Sequence, residues 1–294
     1  MDGATASGYG AGPMRRAGIL YMAASALFFS LMSVLVKVAG HRLPPQEIVL
    51  VRVVMTLALS WLMVRRAGLS PWGTRRAALV LRGLLGFTAL SCYYWAIVHL
   101  PLAEATTIHH MAPLFTAIGA WILLREAAGA ATVVAIVLGM AGVALVARPG
   151  ALWGGAALDP TAVGIALAGA LCSGMAYVTV RQLSKHEDPL VIVFYFPLVA
   201  LPLAIPWTVP VAIWPTPTEW LVLAGVGAAT QAAQVCLTRG LSLERAGRAS
   251  AVGYLQVVFA VLWGTLAFAE PLALTTVAGA GLIVGGTLLV SLTR

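Results

Sequence analysis

Charge is what this sequence has least of. Only 10% of its 294 residues are Asp, Glu, Lys or Arg, against 61% hydrophobic, and the mean hydropathy is +0.94. A soluble domain of this length needs a charged coat that the chain cannot supply. Strand-like alternation is also missing. The apolar runs are long and rich in Ala, Leu and Gly, which excludes a membrane barrel. Cysteine is scarce: Cys92, Cys172 and Cys236 each fall inside an apolar run, with no CxxC pair. That excludes a disulfide framework and a zinc site and leaves three small core residues. The net charge is +8, but Lys and Arg sit in short breaks between apolar runs. No basic cluster interleaved with aromatics offers a nucleic-acid face.

What remains is hydrophobic sequence in lengths that can cross a bilayer, about 20 residues for a ~30 Å core. Ten segments are expected, at about 17–39, 46–64, 77–98, 104–123, 129–147, 161–183, 189–207, 219–240, 246–268 and 272–291. The breaks carry Pro44-Pro45, Pro71, Pro101, Pro149-Gly150, Asp159-Pro160, Asp188-Pro189, Pro215, Pro217 and Pro271. Residues 1–16, small and polar, read as a disordered cytoplasmic tail. Residues 148–160, RPGALWGGAALDP, read as a linker between two halves, 17–147 and 161–291.

The halves are copies. Shifting the chain by 144 residues, the step from Lys37 to Arg181, aligns them without a gap. Pro45, Ile48 and Val49 then meet Pro189, Ile192 and Val193. Gly83 and Cys92 meet Gly227 and Cys236; Phe115 meets Phe259; Glu126 meets Glu270; Gly142 meets Gly286. One constant offset over five segments is hard to obtain by chance.

Five crossings per half is an odd number, so the second half enters the membrane with the opposite polarity. The loops agree. Residues 65–76, RRAGLSPWGTRR, carry four arginines, whereas their copy, VPVAIWPTPTEW at 209–220, has neither Arg nor Lys. Residues 99–104 (HLPLAE) have no Arg or Lys, while their copy at 243–248 (LERAGR) has two Arg. Arg125-Glu126 faces Ala269-Glu270 in the same comparison. Because cytoplasmic loops retain Lys and Arg, this reversal places both termini in the cytoplasm and the 148–160 linker outside. The expected fold is therefore all-α and integral to the membrane, with ten transmembrane helices as two inverted five-helix repeats.

Inverted repeats suit a carrier. Two halves related by an axis in the membrane plane give two nearly equivalent conformations, open to opposite sides, with the binding site near the midplane. The residues also carry a resemblance. P-P-x-E-x-x-x-x-R at Pro44–Arg52 and A-x-x-x-L-P-L-A-E-A-T-x-I-x-x-M-A-P-L-F at Ala96–Phe115, followed by Arg125-Glu126, resemble the EamA-type repeat of the drug/metabolite transporter superfamily. The second copy keeps Gly240-Leu241, Ala249-Ser250 and Glu270-Pro271, with Val257 and Phe196 at the positions of Pro113 and Arg52. The general pattern is similar to the bacterial branch that exports aromatic and other neutral amino acids. That resemblance implies a multi-pass protein of the bacterial inner membrane. It implies a cavity lined by helices 1, 3, 4, 6, 8 and 9, and alternating access for a small solute such as an amino acid.

Helical spacing marks polar stripes on those helices, which should face protein or a wet cavity rather than lipid. Ser30, Ser33 and Lys37 align on the first, with Tyr177 and Arg181 among their mates on the sixth. Thr106 and His110 align on the fourth and Tyr254 on the ninth. Gln231, Gln234 and Thr238 align on the eighth, with Tyr94, the mate of Thr238, on the matching stripe of the third. These are the expected cavity residues, with Lys37 and Arg181 as gate candidates at opposite mouths. Ser and Thr in membrane helices also bond their own backbone carbonyls, and Lys37, Arg181, Arg52 and Arg82, near helix ends, can snorkel. Trp121 and Trp263 read as lipid-facing anchors.

All ten acidic residues lie in tails, breaks or segment ends. An exporter that exchanges cationic drugs for protons uses a membrane-embedded carboxylate. Its absence suits a neutral or zwitterionic solute. His109-His110 is the only hint of an enzyme, and no Asp, Glu or Cys is spaced to complete a metal or nucleophile site. The reading is thus a non-enzymatic carrier with no metal or cofactor, functional as a monomer. A lipid or lipid-sugar flippase, or a drug or nucleotide carrier on the same fold, is the alternative. Ala135/Gly139 and Gly281/Gly285 mark close helix packing in the fifth and tenth segments.

Overall fold

The computed structural model describes residues 11–100, 108–147, 159–268 and 274–293. Within them the chain is helical, with no strand. The first repeat contributes α1 (Ala11–Ala39), α2 (Pro45–Arg66), α3 (Arg76–His99), α4 (Ala112–Leu124) and α5 (Ala130–Ala147). The second contributes α6 (Pro160–Leu183), α7 (Pro189–Thr208), α8 (Pro217–Leu243), α9 (Ala246–Val252), α10 (Leu255–Phe268) and α11 (Leu274–Leu292). Among the described residues, six segments are long and apolar enough to cross a membrane: Ala17–Ala39, Pro45–Arg66, Pro160–Leu183, Pro189–Val211, Pro217–Leu243 and Ala246–Trp263. The first helix is already formed at Ala11, six residues before the expected segment.

The prolines that punctuate the sequence start helices. Pro45, Pro160, Pro189 and Pro217 each occupy the first helical position, where a missing N–H costs nothing. Side chains satisfy the next donors. Asp159 accepts from the N–H groups of Thr161 and Ala162, Asp188 from Leu190, and Thr216 with Glu219 forms a capping box.

The helices pack chiefly across the two repeats. α1 lies along α8, and its mate α6 lies along α3; α2 pairs with α7 and α5 with α11; α4 packs on α6 and α10 on α1. The symmetry extends to single residues. A Cβ placed on Gly83 would stand 2.7 Å from Val199, and one on its mate Gly227 would stand 2.8 Å from Met55, the mate of Val199. Gly142 abuts the Gly279 carbonyl, and its mate Gly286 abuts Ala135, the mate of Gly279. Only glycine lets these backbones approach so closely. Gly281 and Gly285 instead face open space. The expected small-residue face of the last helix is therefore rotated to Gly279 and Gly286.

The ends of the bundle are tied across repeats. At the N-terminal end of α2, Arg42 bonds both carboxylate oxygens of Glu219 and the Trp214 carbonyl, and Glu47 accepts from the Ile213 N–H. At the C-terminal end of α2, some 33 Å away for 22 residues at 1.5 Å each, Glu187 accepts from Thr74 and Arg75. The arginine-rich hairpin and its copy, which has no Arg or Lys, thus lie at opposite ends of the bundle, as an inverted duplication requires. Desolvation works to raise the Glu187 pKa, but the backbone and hydroxyl donors of Arg75 and Thr74 outweigh it and hold the carboxyl below its ordinary value.

Candidate functional site

The helical stretches that lead into α4 and α10 are interrupted at matching places. Between 108–109 and α4 the chain turns at His110-Met111, and between α9 and α10 it turns at Gly253-Tyr254. Here α-type bonds give way to tighter ones: Met111 N–H to the Ile108 carbonyl, Gly253 to Ser250 and Tyr254 to Ala251. His110 and Tyr254 are repeat mates, so the two interruptions coincide within one residue. Interrupted helices at corresponding positions of two repeats are where carriers place their sites.

A cavity of about 50 Å³ sits between these turns. α1 supplies Ser25 and Phe29, α6 supplies Ser173 and Tyr177, and α8 supplies Leu237. The two interrupted helices supply His109, His110, Pro113, Ser250, Tyr254 and Gln256. Its wall is polar without carboxylates. The Ser25 hydroxyl is committed to the Ala233 carbonyl and Ser250 to the Gly247 carbonyl. By contrast, the Tyr254 hydroxyl, on a residue only 1% exposed, has no partner, and neither has His109 Nδ1. The rings form a chain: Tyr93 to His109 at 4.2 Å, His109 to His110 at 5.9 Å and His110 to Tyr254 at 6.3 Å between centroids. Buried polar groups are normally satisfied, so these atoms mark a surface shaped for hydrogen bonding to something other than the protein.

The expected site residues divide. The structure brings His110, Tyr177 and Tyr254 together. Ser30 does not reach the cavity; it is buried, bonded to the Leu27 carbonyl, and accepts from the Trp263 indole at 3.0 Å. Trp263 is therefore an internal contact and not a lipid anchor, whereas Trp121 is 63% exposed. Ser33 is exposed and bonds the Phe29 carbonyl of its own helix. Lys37 is exposed in the last turn of α1, where a cation complements the helix dipole. Gln231 faces α2, with Ser60 at 3.1 Å from its carbonyl and Met63 Sδ at 3.4 Å from its amide. Gln234 faces α3, accepting from Arg82. Thr106 lies outside the described residues, and so does the side chain of Tyr94. Residues 1–10 and 148–158, from the expected tail and linker, also lie outside them.

Arg181 is a latch. Its Nε donates to Glu126 at 3.0 Å, and Nη1 donates to the carbonyls of Leu241 and Ser242. The Glu126 carboxylate is aimed by a left-handed turn at Arg125 (φ 55°), which returns the Glu126 N–H to the Ala120 carbonyl. The same carboxylate accepts from the Ala246 N–H at the start of α9. One ion pair thereby joins α4, α6 and the α8–α9 turn along the wall of a recess of about 460 Å³.

Sequence reasoning passed over Arg82 and Arg52 as snorkelling residues. They are buried, at 3% and 7% exposure. Arg82 points inward because α6 and α7 pack on α3 there: Phe196 lies 4.8 Å beneath its guanidinium, with Tyr177 nearby.

Two repeats clasped around a polar cavity at their interrupted helices define a membrane transporter for a small-molecule solute. The chain belongs to the EamA-like transporter family, whose profile matches it twice, at residues 16–148 and 160–292. It is 33% identical to the pseudopaline exporter CntI of Pseudomonas aeruginosa, over 95% of this chain and 97% of that one. It is 29% identical to human solute carrier family 35 member G1 (90% and 75%) and 28% identical to a riboflavin transporter of Vibrio cholerae (64% and 62%). A solved crystal structure superposes with a TM-score of 0.81 over 92% of this chain and 95% of its own, at 21% identity, and so shares the fold.

Proposed function

We propose that this transporter is a secondary exporter of small neutral or zwitterionic metabolites, aromatic and other hydrophobic amino acids first among them. It works by alternating access across the bacterial cytoplasmic membrane. Ten crossings carry both termini to the cytoplasm, with the 65–76 hairpin inside and the 209–220 hairpin outside. His110, Tyr177 and Tyr254 contact the solute, and Arg181–Glu126 closes the cytoplasmic mouth. An export direction matches that of the Pseudomonas relative, named as a pseudopaline exporter.

The observation that carries this reading is the cavity's position between repeat-related interruptions. At about 50 Å³ it has room for a few waters, well short of the several hundred Å³ of a ligand-filled site. Solute binding therefore requires the halves to part, which is the motion that two equivalent bundles permit. The aromatic and imidazole rings suit an apolar side chain, and the hydroxyl and amide groups suit a polar head.

The test is uptake into proteoliposomes of a labelled panel of amino acids, with and without an imposed pH gradient. Saturable uptake of aromatic and branched amino acids, weakened by Tyr254→Phe, is expected. Uptake no faster than in protein-free vesicles for every amino acid removes the substrate assignment.

A further inference from the structure

Arg82 is a cation held inside the bundle with little to neutralise it. Its side chain belongs to α3 of the first repeat, and its surroundings come mostly from the second: Gln234 on α8, Phe196 on α7 and Tyr177 on α6. It makes one hydrogen bond, from Nη2 to Gln234 Oε1 at 3.1 Å, and its buried Nε has no acceptor. A guanidinium carries five N–H donors. No carboxylate among the described residues forms an ion pair with it. Burying an unpaired cation is among the costliest arrangements in a protein, more so within a membrane. Gln234 offers a dipole and Phe196 a π face, but neither offers a countercharge.

Tyr177 links this cation to the cavity. Its side chain lines the cavity on α6 and lies near Arg82. The remaining cavity groups repeat the bias. The Tyr254 hydroxyl is an unpartnered donor on a residue 1% exposed, and the wall contains no Asp or Glu. The chamber is thus supplied with donors and a nearby positive charge, and with no group that would hold an ammonium by charge.

We propose that Arg82, with Tyr177, is the recognition point for a carboxylate on the transported solute, so that the acid end of the substrate is read and the amino end is not. This rests on the transporter reading above and deepens it. The substrates are then organic acids and amino acids, including amino acids whose nitrogen is acylated, while amides and esters of the same skeletons are excluded. A planar guanidinium suits this task because its paired donors match the two oxygens of a carboxylate. It sits at a junction between the repeats, so a solute that engages it bears on both halves at once.

The experiment compares three probes with one side chain in proteoliposomes: phenylalanine, N-acetylphenylalanine and phenylalaninamide. Each is also scored for thermal stabilisation of the detergent-purified protein. Both carboxylates should stabilise the protein and compete for uptake, and the amide should do neither. Arg82→Gln should weaken the carboxylates roughly 10- to 100-fold, the loss of a charge-assisted contact, with Arg82→Lys intermediate.

Gln234→Glu keeps the test open if loss of Arg82 unfolds the protein. It places a carboxylate beside the guanidinium, so it should raise the melting temperature while competing with the solute and weakening it about 10-fold or more. A purely structural Arg82 predicts stabilisation with transport unchanged, which overturns the proposal. Equal competition by acid and amide overturns it too, while leaving the transporter reading intact. If none of the three is taken up, the aromatic assignment fails, and the stabilisation assay decides this proposal: a response to the acids alone supports it, and no response overturns it.

Discussion

Replacing Tyr254 by Phe separates a binding residue from a core residue, because the two roles predict opposite signs. The Tyr254 ring is packed so closely on α5 that a Cβ on Gly139 would stand 2.4 Å from it, and the residue is 1% exposed. Phe keeps that ring and its packing. Only the hydroxyl is lost, and it has no partner in this structure. Leaving a buried hydroxyl unsatisfied costs about 1–3 kcal/mol. Its removal should therefore stabilise the protein by up to about that amount, or roughly 2–4 °C in Tm per kcal/mol at this size. The same change removes a donor from the cavity, so apparent solute affinity should fall roughly 3- to 10-fold, the worth of one neutral hydrogen bond. Thermal unfolding in detergent and uptake kinetics in vesicles read the two effects on one preparation. A Tyr254→Phe protein that melts earlier with unchanged affinity would show the hydroxyl to be a structural tie, and the site would be misplaced.

Glu126→Gln removes the charge that holds Arg181, and it should ease separation of α4, α6 and the α8–α9 turn. In a background without native cysteines, Ser250→Cys should then react with a maleimide several-fold faster; an unchanged or slower rate refutes the latch. Glu187 is held below its ordinary pKa, so its stabilising effect is complete above the unfolded value near 4.3 and is lost as pH falls through the lower folded value. Stability should therefore drop between about pH 5 and pH 3, and Glu187→Gln should flatten that drop in thermal unfolding. An identical pH profile in the variant contradicts the tie. Gly142→Leu forces α5 from α11 and should cost about 1–3 kcal/mol or more, whereas Gly281→Leu, which meets no atom within 4 Å, should change Tm little. Similar melting of the two variants would refute the helix pairing.

The repeat was legible because duplication leaves a constant offset, and the reversed loop charges were legible because positive-inside selection acts on sequence directly. The paired contacts of Gly83 with Val199 and Gly227 with Met55 confirm that offset at single-residue resolution. The site was only partly legible. Helical spacing placed Ser30, Gln231 and Gln234 on polar faces, but spacing does not say which neighbour a face meets. Trp263 meets the first, α2 the second and Arg82 the third. Arg82 was overlooked because it lies near the start of its helix, and only the packing of α6 and α7 shows that it is enclosed. The interruption at Gly253 has a glycine to announce it. Its counterpart at His110-Met111 has none, and Pro113 lies beyond the turn.

Two single-cysteine variants, Gly68→Cys in the arginine-rich hairpin and Thr216→Cys in its copy, can be labelled in intact cells with a membrane-impermeant maleimide. The inverted arrangement predicts that the Thr216→Cys protein reacts from outside, and that the Gly68→Cys protein reacts only after the membrane is opened. Labelling of both variants from the same side would contradict it.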